Sequence, residues 1–375
     1  MTSRKLLILA ILAVVVVGAG IWLAERQTST PEGESALLYP ALKKELDAIT
    51  AVRIVKAGGE PAVEIKRGET GWTVSERSNY PADDGKLRQL ISGLSDAKLL
   101  EEKTSNAENY ATLGVEDISS TEAGGVQIEV DGAKQPVKLI VGKQGSGSQS
   151  HYVRRAGEPQ SWLISKSLET SASPDQWLSK QVIDVSADRI QSATVTFAGA
   201  KPYTAAKKSR ADENFSVEGL PKGKELSSPS AADTFATALA GLTLTDVRSA
   251  TELSGEPSAR ATLKTFDGLV TEASGWKQDD KHYVALKTSF DAAQAERFKV
   301  ATTDTQQKEE PAANTEGAPP AAEAAEDKEE PAKPAAPNVT EEASSTNAKL
   351  TGWAYEIPEY KYEAIFKPLD ELIKK

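Results

Sequence analysis

Short stretches in which apolar and polar residues alternate recur from residue 49 onward, and each reads as a half-buried β-strand. Ala51-Val52-Arg53-Ile54-Val55 is the first, and Gly71-Trp72-Thr73-Val74 is centred on an aromatic residue. The period changes at Pro81-Ala82-Asp83. Beyond it Leu87, Leu90, Ile91 and Leu94 fall on one helical face, with Asp83-Asp84 placed to cap the helix and match its dipole. The pattern then repeats. Ser192-Ala193-Thr194-Val195-Thr196-Phe197 answers the first strand, Asn214-Phe215-Ser216-Val217 the aromatic one, and Pro229-Ser230 opens a second helix carrying Phe235, Leu239 and Leu242. Tight-turn dipeptides, Asp131-Gly132 and Asp267-Gly268, stand at matching places. So do His151-Tyr152-Val153 and His282-Tyr283-Val284, which hold both histidines of the chain. Ile49 and Ile190 open the two copies.

One stretch breaks the alternation. Leu6 to Ala24 carries no charge, and at about 1.5 Å per residue it spans roughly the thickness of a bilayer core. Arg4 and Lys5 precede it, Glu25 and Arg26 end it, and Trp22 sits near its outer end. The positive-inside rule puts residues 1–5 in the cytoplasm and Glu25 onward outside. A cleaved signal peptide is the competing reading, with Val17-Gly18-Ala19 as the cut. That site lies inside the apolar run, which favours an uncleaved signal anchor. Residues 25–48 then form a juxtamembrane spacer, of which Leu37-Leu38-Tyr39-Pro40 and Leu42 are expected to pack onto the folded part.

The first repeat is expected over 49–185 and the second over 186–300 and 350–375, separated by an insertion at 301–349. That insertion is Ala, Pro and Glu with almost no large apolar residue, and holds 11 acidic and 4 basic residues. It cannot bury enough apolar surface to offset its ordering entropy, so it is expected to be disordered. After it Trp353 and Tyr355 are expected to match Trp162 and Ile164 of the first copy. The fold class is α+β: two tandem repeats of an antiparallel sheet with a packed helix, preceded by one N-terminal transmembrane helix at residues 6–24.

Charge and composition exclude several functions. The net charge of -11 argues against a nucleic-acid partner, and the absence of cysteine removes disulfides, thiol nucleophiles and Cys-type zinc sites. With His151 and His282 alone, and no regular carboxylate spacing about either, no metal or cofactor is expected. No Gly-x-Ser-x-Gly elbow occurs in the folded part, and Gly145-Ser146-Gly147-Ser148 is a loop without a strand–turn–helix setting. Arg154-Arg155 is a small basic patch at a strand end. Trp72, Trp162, Trp177, Trp276 and Trp353 could form a glycan-stacking platform, but their strand positions argue that most are core. No catalytic residue is expected.

Several elements resemble a bacterial envelope family known as domain of unknown function 4340. They are the anchor, Gly71-Trp72 leading to Tyr80-Pro81-Ala82-Asp83, Tyr110-Ala111-Thr112-Leu113-Gly114-Val115, His151-Tyr152-Val153-Arg154, Ser161-Trp162-Leu163-Ile164, Trp177-Leu178 and Val182-Ile183. The chain departs from that pattern in its acidic insertion and in lacking a clear Leu-Gly-Val element in the second copy. The resemblance implies an association with ABC-type transport and gliding-motility-like auxiliary proteins, and it assigns no activity. The expectation is a non-catalytic, single-pass inner-membrane protein with a periplasmic two-repeat region, serving as an auxiliary or assembly subunit. A binding module for cell-wall glycan or another envelope polymer is the alternative.

Overall fold

The computed structural model describes residues 36–146, 149–299 and 338–374. The chain divides into two units at Ser179 and Lys180. Residues 6–24 lie outside the described residues. Among the described residues no helix is long and apolar enough to cross a membrane.

The first unit is built on β1 (Ala51–Val55), β2 (Pro61–Arg67), β3 (Trp72–Val74), β4 (Tyr80–Pro81), β5 (Leu99–Glu102), β6 (Val126–Asp131), β7 (Val137–Gln144), β8 (His151–Arg155) and β9 (Ser161–Ile164). They form one antiparallel sheet in the order β4-β3-β2-β1-β6-β7-β8-β9-β5. Alternation sets its two faces. Val52 and Ile54 of β1 stand opposite Ile65 and Val63 of β2 and Val130 and Ile128 of β6. All six are buried, and with Leu87, Leu90 and Leu94 of helix α1 (Asp84–Asp96) they make up much of this unit's core. Asp83 starts that helix by accepting the Lys86 N–H at 2.9 Å. On the other face Arg53 reaches Glu129 at 3.1 Å and Asp131 at 2.6 Å, a cross-strand ion-pair group.

The second unit contains β10 (Gln181–Ile183), β11 (Ile190–Phe197), β12 (Tyr203–Ala206), β13 (Ser216–Glu218), β14 (Leu242–Thr243), β15 (Asp246–Ser249), β16 (Ala259–Thr265), β17 (Leu269–Gln278), β18 (Lys281–Phe290) and β19 (Trp353–Glu356). Its main sheet runs β13-β12-β11-β16-β17-β18-β19-β15. Element by element this is the order β3-β2-β1-β6-β7-β8-β9-β5 of the first unit.

The units begin earlier than the strand pattern suggests. Residues 36–48 are a strap of the first unit: Leu38 and Leu42 are buried, Leu38 N–H bonds Ala97 O, and Leu99 N–H bonds Ala36 O. The second unit opens in the same manner, β10 pairing with β14 and Leu244 N–H bonding Lys180 O. Residues 180–185 therefore belong to the second unit and not to the first. These pairings join segments some sixty residues apart, which no local pattern reports.

Two further expectations are corrected. Among the described residues the second unit has no counterpart of α1, and the Asp233 carboxylate accepts the Phe215 N–H. Only a single 3-10 turn, Asp233–Thr237, forms there, although Phe235 and Leu239 are buried as expected. The sheet is covered instead by α5 (Glu359–Ile365), whose Tyr362 is buried and where the Phe366 ring lies so close to Gly275 that a Cβ there would meet it at 2.6 Å.

The last residues of the insertion are ordered. After α3 (Ala292–Arg297), helix α4 (Val339–Leu350) opens on Asn338, whose side chain accepts the Thr340 N–H, and carries Glu341 and Glu342 in its first turn. Arg189 holds Glu342 through two 2.8 Å bonds and Asp267 through a third. The helix buries Ala343 and Leu350, and Asn347 accepts the Thr288 N–H of β18. Residues 339–349 thus form a docked helix where disorder was expected.

Replacing Arg189 by Ala removes three charge-assisted hydrogen bonds and leaves Glu342 half-buried without its partner. The second unit is expected to lose about 1.5–3 kcal/mol. Hydrogen–deuterium exchange should rise over 339–350 while the first unit keeps its protection.

Candidate functional site

Each histidine is held by neighbours within its own unit. His151 is half-buried, and its Nδ1 accepts the Leu168 N–H at 3.1 Å. His282 lies in the second unit against the Tyr362 ring, 4.9 Å between centroids. Among the described residues no three His, Asp or Glu side chains are grouped to hold a metal. Residues 147 and 148 of the Gly/Ser loop lie outside the described residues. Asp83 is the α1 cap described above.

Arg154 and Arg155 are not a basic patch. Arg155 leans towards the strap, where Nη2 donates to Leu38 O at 2.7 Å. Arg154 is buried and holds a turn: Nε donates to Val115 O at 2.8 Å, Nη1 to Glu158 O at 3.0 Å and Nη2 to Asp117 Oδ1 at 2.6 Å. Its guanidinium lies over the Tyr110 ring, 4.5 Å from the centroid, and the Tyr110 hydroxyl donates to Pro159 O.

This turn, Tyr110 to Val115, is a plug on the outer face of β7 and β8. It includes α2 (Tyr110–Leu113), and Gly114 at φ +72° reverses the chain. Tyr110 and Val115 bury Ile140, and Leu113 and Tyr152 pack around them. The fit requires backbone against backbone. A Cβ at Gly142 would stand 2.2 Å from Leu113 O, and one at Gly125 2.3 Å from Gly114 O.

The matching place in the second unit is open. Val141 pairs with Val153 in β7–β8, and Gly275 with Val284 in β17–β18, which sets the equivalence of the two sheets. One step along, Ile140 and Arg154 become Ser274 and Ala285. The residue after Val141 is Gly142, and the residue after Gly275 is Trp276. Among the described residues no counterpart of the plug covers these side chains. They line a recess of about 260 Å³ together with Arg260, Glu272, Lys287 and the residues from Leu350, at the end of α4, to Trp353 of β19. The Trp276 Nε1–H donates to Gly255 O at 3.1 Å, which sets the indole. Beside it Tyr283, opposite Trp276 in the ladder, has its hydroxyl between Arg248 and Glu356, and burial raises its pKa.

Register also corrects the matching of the aromatic residues. Trp162 stands opposite Val153, and Tyr355 opposite Val284, so Trp162 corresponds to Tyr355. Trp353 lies two residues earlier and is an addition of the second unit. Of the five tryptophans weighed as core or platform, Trp177 alone is fully buried, while Trp72, Trp162, Trp276 and Trp353 are half-exposed. Arg260, Glu272, Ser274, Lys287 and Leu350 were not singled out from the sequence. They come from three strands and a helix and meet only through the ladder register.

A family model described as domain of unknown function (DUF4340) matches residues 72–261, half of the chain, and spans α1, the plug and the start of the second sheet. No curated protein and no solved structure matches the chain significantly.

Two outcomes follow from this geometry. Arg154→Ala should cost about 2–4 kcal/mol, because it strips the buried Val115 carbonyl of its donor and removes the bonds to Glu158 O and Asp117. Arg154→Lys should rescue little, since one ammonium cannot span the three acceptors; urea unfolding of the three proteins is the test. Burial holds the His151 pKa below its ordinary 6.5. The neutral ring is the folded form, so its contribution is complete above pH 6.5. It is lost as the pH falls below that value, where the unfolded chain takes up the proton first. Urea midpoints measured from pH 7.5 down to 5 should show this slope, and His151→Gln should flatten it.

Proposed function

The chain belongs to the DUF4340 family, and from that premise we propose that it is a non-catalytic, single-pass protein of the bacterial inner membrane, anchored by residues 6–24. Its two units lie outside the cytoplasm and serve as an auxiliary or assembly subunit of an ABC-type, gliding-like envelope transport system. The observation that carries a recognition role is the contrast between the two copies. One sheet is closed by its own Tyr110–Val115 turn, and among the described residues its twin has at the same place a recess lined by aromatic and charged side chains. The sequence supports the topology through its uncharged run and the cations before it.

A second reading, binding of cell-wall glycan or another envelope polymer, is favoured by the content of that open face. Trp276 and Trp353 border it beside Arg260, Glu272 and Lys287. Among the described residues Glu272 is the one carboxylate lining the recess, whereas glycoside hydrolysis ordinarily needs two, and this favours binding over turnover.

Purification of the full chain from detergent-solubilised membranes through a tag after Lys375, followed by mass spectrometry, separates the readings. Recovery of membrane-transport subunits after stringent washing is expected for an assembly partner. A preparation without stoichiometric partners would overturn that role.

A further inference from the structure

We infer that the edge of β18 from Ala285 to Phe290 is a strand-addition site for an extended segment of a protein partner, and that α4 is an internal cover which this segment displaces. The inference rests on the assembly reading and gives it a point of attachment. Strand β18 has ten residues, and β17 pairs with all of them. On its other side β19 pairs only with Tyr283 and Val284. In the first unit β8 has five residues, and β9 pairs with it from His151 to Arg154. The overrun of β18 past its neighbour is therefore particular to the second unit.

The Thr288 N–H points away from β17, since it donates to Asn347 Oδ1 at 3.1 Å. Alternation along the strand aims the N–H and C=O of Leu286 and Phe290 the same way. Among the described residues α4 is the element that lies along this edge, and the Thr288 hydroxyl donates to Ala343 O at 2.8 Å. A helix meets such an edge with few bonds. The twelve residues of α4 bury just Ala343 and Leu350, and Thr340, Ser344, Ser345 and Thr346 favour a helix weakly. A helix of that length is marginal without its docking contacts. Its hold therefore depends on Arg189 at Glu342 and on Asn347 at Thr288.

An antiparallel segment would bond the backbone of Leu286, Thr288 and Phe290 directly. The edge also sets its chemistry. Leu286 and Thr288 are buried while Lys287 and Ser289 are exposed, so the segment is apolar at the positions that bond the edge. Opposite Lys287 it carries an acid, which continues the row that Glu272 and Lys287 begin across the β17–β18 ladder.

The test uses the full-length chain in detergent micelles and the capped heptapeptide Thr-Val-Glu-Val-Thr-Val-Thr. Hydrogen–deuterium exchange with peptide bound should slow over 285–290 and quicken over 339–350. Arg189→Ala and Asn347→Ala loosen α4 through different contacts. Each should bind the peptide about tenfold more tightly than the parent, because a cover lowers affinity by the fraction of molecules it leaves open. The same peptide N-methylated at its three valines should not bind. Absence of binding to both variants up to about 1 mM would overturn the site. So would equal affinity for the parent and both folded variants, equal binding of the N-methylated peptide, or unchanged exchange over 285–290. Co-purification from membranes separates the two levels of the claim. Greater recovery of partner subunits with Arg189→Ala than with the parent is expected. Equal recovery overturns the displaceable cover and keeps the assembly reading, and no partner from either overturns both.

Discussion

The approach of the Leu113-Gly114 turn to the backbone of Gly142 governs the outer face of the first unit. It brings Val115 within reach of Arg154, puts the Tyr110 ring under the guanidinium and seals Ile140 from solvent. None of these contacts forms at a greater separation, because each follows from the turn lying directly on the strand. The second unit keeps the strands and lacks the approach. A larger residue at that one place leaves its face for something else to cover.

Edges are managed as deliberately as faces. A sheet edge is a row of unpaired backbone groups, and exposed edges invite unwanted pairing. Each unit lays its first described residues along the segment that leads into its last-ordered strand, the strap before β5 and β10 before β15. In the second unit β19 pairs with β18 only at Tyr283 and Val284. Helix α4 attends to the strand beyond, Asn347 taking the Thr288 N–H.

Much of the strand layout could be read from the chain. Alternation marked β1 and β11, Asp-Gly marked the turns after β6 and β16, and Pro81 to Asp83 marked the start of α1. These signals are local, set by pleat, turn geometry and capping over a few residues. The straps, the match of Trp162 with Tyr355 and the grouping of Trp276 with Arg260 and Trp353 depend on register between distant segments, which composition does not carry. Helix α4 was a different kind of miss. Asn338 followed three residues later by Glu341 is a capping signal in its own right, local to four residues within a block whose composition is that of a disordered segment. At Pro229-Ser230 the turn signal is followed by a short 3-10 turn, Asp233–Thr237, where Asp233 accepts the Phe215 N–H.

Two adjacent copies with one strand order carry a hazard while the chain folds, since a strand of one copy offers the same hydrogen-bonding edge as its twin. Gly142 and Trp276 make the twins distinguishable. If β17 took the place of β7, its indole would collide with the Leu113 carbonyl, and the turn could not close. If β7 took the place of β17, Val141 would stand where Gly275 does, and a Cβ there meets the Phe366 ring at 2.6 Å. The position that separates a sealed face from an open one also tells the folding chain which copy it is building.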